Sequence, residues 1–99
     1  MTKSFQERFN EDRRLAILRL LKEQPDYSIN DSMLQTALEA LGHGQSRDVI
    51  KTDMAWLGEQ GLVEVDVVHE TVHVAKITGR GIDVAAGRAT VPGVKRPAP

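Results

Sequence analysis

Arg47 and Lys51 are the side chains of this 99-residue sequence whose type and spacing best suit a binding function. They lie four residues apart, so a helix would place them on one face. Arginine and lysine donate hydrogen bonds to the edge of guanine and to phosphate oxygens, the acceptors that a nucleic acid offers. An ordinary solvated helix face would carry the same two residues, and the pair alone does not decide between these interpretations.

Metal binding and catalysis have weaker support. His69 and His73 come closest to a metal-ligand pair, but a zinc site would need two further ligands nearby, and the sequence has no cysteine. The sequence also lacks a P-loop, a dinucleotide-binding glycine pattern and a recognisable serine, histidine and carboxylate set. We therefore expect no metal site, no cofactor and no enzymatic activity.

Charge and length narrow the class of protein. Lysine and arginine number 13 against 14 aspartate and glutamate, giving a formal net charge of −1. No global positive field would draw such a chain to nucleic acid, although a local cluster of donors can still neutralise phosphates. The length fits one domain. The sequence shows no signal peptide and no run of about 20 apolar residues, so we expect a cytoplasmic protein without a membrane partner.

The first two helices follow from apolar periodicity. A broad apolar stripe from 11 to 23 predicts the first helix, which Pro25 ends. The second helix begins at Asn30 or Asp31, both good capping residues, and the glycines of 42–44 close it. The second helix and the next, joined by this glycine-bearing turn, form a helix-turn-helix candidate.

The third helix is the one that carries Arg47 and Lys51. Ser46 can cap its start and Gly61 ends it. Its core-facing positions are Ile50, Met54 and Leu57. That rotation turns Arg47, Lys51 and Thr52 toward solvent.

Alternating valines after the third helix predict two strands joined in a hairpin. A tip at 69–70 gives a consistent register, in which the valines share one buried face. In that register the opposite pairs are Val67 with Val72, Val65 with Val74 and Asp66 with His73. A four-residue loop over 68–71 is the alternative, because the tip lacks the glycine that a two-residue turn prefers.

The end of the chain changes character. Thr78 as a cap and Gly87 as an end predict a short fourth helix. From Arg88 onward the chain is basic and proline-rich, with too little apolar material to fold alone. We predict one domain over 1–87, in which 1–10 form a loosely docked extension, followed by a disordered tail over 88–99.

The order of these elements resembles that of winged-helix regulators of the ArsR-like and MarR-like kind. It is also similar to that of small winged-helix proteins carried by Mu-like transposable phages and their prophages. The resemblance covers residues 11 to 87 and is strongest from Trp56 to Val63, where a leucine and a glycine precede a strand. It implies a mostly α fold with a small β-hairpin: a winged helix-turn-helix with a three-helix core, a two-stranded wing and a short C-terminal helix.

The resemblance also implies a function, the sequence-specific binding of double-stranded DNA by a phage or prophage-type transcriptional regulator. Carried over to this sequence, the base or phosphate contacts on the third helix are Gln45, Ser46, Arg47, Lys51 and Thr52. Arg13 and Arg14 could add phosphate contacts from a helix that flanks the groove, or could form surface salt bridges with neighbouring acids.

A winged helix that binds a protein partner and little or no DNA is the alternative. The near-neutral charge favours it, as do Asp66 and Glu70 in the predicted wing, where DNA-reading wings generally offer lysine or arginine. Trp56 would then anchor the partner, although a tryptophan can also seal the edge of a small core. Phe5 and Phe9 share one helical face and carry the same two interpretations, which a homodimer through the first and last helices would reconcile.

Overall fold

The computed structural model describes residues 2–98 as four helices and a three-stranded antiparallel sheet. The elements follow in the order α1 (Phe5–Glu23), β1 (Ser28–Asn30), α2 (Asp31–Ala40), α3 (Arg47–Glu59), β2 (Val63–Val68), β3 (Val72–Ile77) and α4 (Gly79–Ala85). The strand order is β1, β3, β2, so β3 is central. The predicted winged helix-turn-helix fold is confirmed, and β1 adds a third strand to the predicted two-stranded wing.

Each helix begins at a side chain that caps it. The caps are Ser4 for α1, Asn30 for α2, Ser46 for α3 and Thr78 for α4, and each side-chain oxygen accepts a hydrogen bond from a backbone N–H of the first turn. The cap at Ser4 starts α1 six residues before the predicted position. Residues 5–10 are therefore the first turns of α1, and the side chains of 5–8 are exposed.

The core lies between α1, α2, α3 and the inner face of the sheet. Its fully buried members include Ile17, Leu18, Leu21, Leu34, Leu38, Ile50, Met54, Leu57 and Leu62. The predicted core face of α3 is confirmed by the three members from that helix. Its opposite face is consequently the one that faces solvent.

The segment 88–98 packs on α1, so the predicted disordered tail is wrong for this part of the chain. Val91 and Val94 are 4% and 6% exposed and belong to the core. The backbone N–H of Lys95 donates to the carbonyl oxygen of Glu11 at 3.1 Å. The two buried valines and this hydrogen bond anchor the segment, whereas its proline-rich and basic composition led to the opposite expectation.

The hairpin differs by one residue from the predicted register. Val68 pairs with Val72, which leaves a three-residue tip over 69–71. Two tip residues, His69 and Glu70, have φ angles of 52° and 66°. The predicted pairs are replaced by Val67 with His73, Asp66 with Val74 and Val65 with Ala75. The slip places Val65 and Val67 of β2 on the face opposite Val72 and Val74 of β3.

Candidate nucleic-acid interface

The solvent face of α3 begins at its N-terminus. Ser46, Arg47 and Thr52 are exposed there, as the sequence predicts. A nitrogen of the Arg47 guanidinium, Nη2, lies 3.3 Å from Ser32 Oγ, which connects the start of α3 to α2. The Thr52 hydroxyl donates to the carbonyl oxygen of Asp48 at 3.0 Å. The remaining side-chain N–H groups of Arg47 have no hydrogen-bond partner within residues 2–98.

Lys51 lies on the same helix but is engaged inside the protein. Its Nζ is 3.5 Å from Oδ2 of Asp31, a side chain that is only 2% exposed. Oδ1 of Asp31 accepts the backbone N–H of Ser32, and Oδ2 has no hydrogen bond from residues 2–98. Lys51 therefore supplies the counter-charge of a buried carboxylate, and moving it to a phosphate would leave that charge uncompensated.

Gln45 precedes α3 and lines a shallow polar cleft. Its carbonyl oxygen accepts the side-chain amide of Gln35 at 2.9 Å. The cleft lies between α3 and the N-terminal half of α1, and its lining includes Gln6, Asn10 and Thr52. The structure thus brings Gln45 and Thr52 together beside α1.

Arg13 also lines this cleft, but its guanidinium is engaged inside the protein, which does not favour the predicted phosphate contact. Its side chain is 4% exposed, and its Nε and Nη2 donate to the two carboxylate oxygens of Asp53 at 2.5 and 3.2 Å. Nη1 donates to Asn10 Oδ1 at 3.1 Å. The neighbouring acids expected as surface partners play no part in this ion pair. Asp53 is buried as well, so it does not add negative charge to the α3 surface.

Arg14 is also occupied within the protein. Its guanidinium lies 4.3 Å from the ring centroid of Trp56, and its Nη1 donates to the carbonyl oxygen of Gly93 at 2.9 Å. Gly93 has a φ of 102°, and a Cβ at this position would lie 2.6 Å from the Trp56 ring. The C-terminal segment and Arg14 thus cover the tryptophan, which seals the domain edge. The phosphate contact predicted for Arg14 would require this packing to open.

Phe5, Phe9 and His43 form an aromatic row at the start of α1. Phe5 is 81% exposed, and its ring centroid is 5.9 Å from that of Phe9. The Phe9 ring in turn lies 4.6 Å from His43, which is 5% exposed. Sequence reasoning missed His43, because a histidine between two glycines gives no signal of burial. Phe5 remains available to a partner.

His43 and Lys95 hold the carboxylate of Asp12. Nε2 of His43 lies 2.7 Å from Oδ2, and Nζ of Lys95 lies 3.3 Å from Oδ1. Burial raises the pKa of Asp12, but the hydrogen bonds from His43 and Lys95 together outweigh burial and lower it from the usual 3.8. A carboxyl with a lowered folded-state pKa adds stability above its unfolded pKa, and this stability is lost as pH falls through the folded-state value.

Asp12→Asn is therefore expected to destabilise the protein more at about pH 5 than at about pH 3, because only the ionised carboxylate benefits from both partners. The measurement is urea unfolding of the wild type and the variant at both pH values. The difference in unfolding free energy should narrow at the lower pH. An equal difference at both values would contradict the role assigned to the carboxylate.

Residues 2–98 contain neither a candidate metal cluster nor a membrane-spanning helix. No cluster of three or more histidine, cysteine, aspartate or glutamate side chains that could hold a metal ion is found there. None of the helices in this part of the chain is long and apolar enough to cross a membrane.

Comparison with known proteins identifies relatives of the chain. No protein-family model matches it. It is 51% identical over 89 residues to the uncharacterized protein gp26 of Escherichia phage Mu, across 90% of this chain and 91% of that protein. The chain belongs to the gp26 family. An uncharacterized protein of Haemophilus influenzae strain Rd is 40% identical to this chain over 77 residues, across 78% of this chain and 74% of that protein.

Solved structures share the fold of the gp26 family member. The complex of hsRosR-S4 superposes with a TM-score of 0.62 at 19% identity, over 74% of this chain and 62% of that one. The complex of hsRosR-S1 superposes with a TM-score of 0.65 at 18% identity, over 82% of this chain and 70% of that one. The chain therefore has a winged-helix fold, and it spans less than two thirds of the first of these structures.

Proposed function

We propose that this gp26 family member binds double-stranded DNA sequence-specifically, as a phage or prophage-type transcriptional regulator of the ArsR-like or MarR-like kind. The observation that carries the proposal is the exposed N-terminal half of α3 on a winged-helix scaffold. In such folds this helix enters the major groove and its first turns meet the base edges. The function needs no enzymatic activity and no cofactor.

Arg47 is the principal base contact in this proposal. It is exposed at the first turn of α3, and its bond to Ser32 orients a planar guanidinium whose other donors can address guanine O6 and N7. Ser46 and Thr52 offer hydroxyls on the same face, and Gln45 offers an amide. Lys51 contributes positive charge near the phosphates while it stays with Asp31.

A homodimer is part of the proposal. Two copies of α3 related by a two-fold axis would read half-sites about 34 Å apart. Phe5, 81% exposed at the start of α1, is the apolar side chain through which the copies would pack. Arg13 and Arg14 are left out of the DNA contacts because of their internal partners.

Arg47→Ala is expected to weaken discrimination between operator and random duplex by about 1 to 3 kcal/mol, because it removes a bidentate contact with guanine. The measurement is fluorescence anisotropy with labelled DNA from upstream of the phage gene and with random-sequence DNA, at about 50 and 200 mM salt. The matched control is Arg19→Ala, since Arg19 is exposed on α1 beside the end of α2 rather than on α3.

The salt series separates the possible roles of Arg47. If Arg47→Ala weakens binding to both DNAs equally and makes the affinity less dependent on salt, Arg47 is a phosphate contact rather than a base contact. Absence of binding by the wild type at the lower salt would refute DNA binding. Equal losses in the Arg47 and Arg19 variants would refute the assignment of the interface to α3.

A further inference from the structure

The outer edge of β2 is open. β2 pairs with β3 on one side, and no other strand in the described part of the chain lies on its other side. Its pairing with β3 is continuous over all six residues, Val63–Val68, without a bulge. Open edges of this kind present unpaired backbone groups to which another strand can add.

Hydrogen bonding at the base of the hairpin fixes which residues face the open edge. The backbone N–H of Thr78 donates to the carbonyl oxygen of Leu62 at 3.0 Å, and these two residues continue the register of the hairpin. Hydrogen-bonded pairs alternate along an antiparallel ladder. Glu64 and Asp66 therefore bond to β3, whereas the N–H and C=O groups of Val65 and Val67 point away from it.

Two apolar side chains of this edge are exposed to solvent. Val65 and Val67 are 37% and 51% exposed on the face toward α3. A Cβ at Gly58 of α3 would lie 3.6 Å from the Val65 side chain, so this face continues outward from the helix. Natural edges are generally blocked by charged side chains, proline or a bulge, and β2 has only the acidic residues Glu64 and Asp66 among these.

The charges of β2 favour the addition of a strand that carries basic residues. Glu64 and Asp66 are both exposed on the face opposite the valines. In an antiparallel pair of two copies centred on Val65, Glu64 of each copy would face Asp66 of the other, and like charges directly opposite are destabilising. A strand with basic residues at these positions would form two opposite-charge pairs instead.

We propose that β2 is a docking edge for a partner protein, which adds an extended segment of alternating apolar and basic residues as a fourth strand. The partner's backbone bonds to Val65 and Val67, its apolar residues cover the exposed valines, and its basic residues pair with Glu64 and Asp66. The inference is independent of DNA binding by α3, since it uses none of the residues proposed for the DNA interface.

The first arm of the test uses the full chain and two synthetic peptides. The probe is a fluorescein-labelled Lys-Val-Lys-Val-Lys-Val-Lys peptide, and its matched control has glutamate in place of lysine. We expect saturable binding of the lysine peptide and at least about tenfold weaker binding of the glutamate peptide, because both cross-strand charge pairs change sign. In amide exchange followed by NMR, the N–H groups of Val65 and Val67 should become protected when the lysine peptide binds.

The second arm uses variants of the edge itself. Val65→Pro removes an outward N–H that β3 does not use, a substitution that edge strands tolerate. It should weaken binding of the lysine peptide at least about tenfold. Val65→Thr keeps the N–H and the branched side chain, so its affinity for the lysine peptide should stay within about twofold of the wild type. The proposal is overturned if neither peptide saturates, if both bind equally, or if protection in the wild type appears away from β2.

Discussion

Replacing Asp53 with alanine is expected to lower the free energy of unfolding by about 3 to 5 kcal/mol. The Arg13 guanidinium is 4% exposed and gives two hydrogen bonds to this carboxylate, so the substitution leaves a buried charge without its partner. Small domains have a total stability of about 5 to 15 kcal/mol. The loss would therefore be a large part of the stability of this protein.

Urea unfolding followed by circular dichroism at neutral pH measures this loss. Arg13→Ala should cost less than Asp53→Ala, because Arg14, whose Nε lies 3.6 Å from Oδ1 of Asp53, remains as a counter-charge. The double variant Arg13→Met with Asp53→Leu should recover part of the loss, because both members of the buried pair are removed while Arg14 loses its acidic partner. Glu59→Ala provides a control, since Glu59 is exposed on the same helix and a surface change should stay within about 0.5 kcal/mol. A cost below about 1 kcal/mol for Asp53→Ala would mean that the pair is not structural, and Arg13 would again be a candidate for phosphate contact.

The same ion pair has a consequence for the proposed DNA interface. Asp53 lies on the side of α3 that faces α1, so its pairing with Arg13 fixes the rotation of α3 about its own axis. That rotation turns Arg47 and Thr52 to solvent. We infer that the pair orients the α3 surface without contacting DNA itself.

Local signals in the sequence were sufficient for most of the helical framework. The caps at Asn30, Ser46 and Thr78 act within one turn of their own position. Residue type alone predicts Ser46 and Thr78, and it makes Asn30 one of two candidates beside Asp31. The core face of α3 followed from apolar spacing. The exposure of Arg47 and Thr52 followed from the same spacing, because a helix with one face buried must expose the other.

Features that depend on contacts distant in sequence were not predictable. Arg13 and Asp53 are 40 residues apart, and nothing near either residue marks it as buried. The contact of Arg14 with Gly93 joins residues 79 positions apart. The covering of Trp56 depends on this contact and is equally distant in sequence. Composition alone describes the segment around Gly93 as a tail, since its anchoring depends on the three-dimensional position of α1.

The strands were predicted with the wrong register because valines occur in both phases of the alternation. Val67 and Val68 are adjacent, so either can continue the apolar side of β2. The length of the tip then decides the pairing, and the residue types at 69–71 do not indicate a three-residue tip. β1 was missed for a related reason: three residues are too few to show a period.

Gly81→Ala is expected to destabilise the protein by about 2 to 3 kcal/mol, through overpacking at a place where the backbone has no room to yield. A Cβ at Gly81 would lie 2.2 Å from the carbonyl oxygen of Leu62 and 2.7 Å from the Ile77 side chain. Gly79→Ala is the matched control in the same helical turn.

No atom lies within 4 Å of a Cβ at Gly79, so alanine there should be neutral or stabilising by up to about 1 kcal/mol through helix propensity. Thermal and urea unfolding of both variants measure the contrast, and equal stability would show that α4 is not held against the backbone of Leu62. Because Leu62 joins α3 to β2, displacement of α4 should also disturb the base of the hairpin. Gly81→Ala is therefore expected to reduce amide protection in β2 and β3 more than in α1, which separates local displacement from a uniform loss of stability.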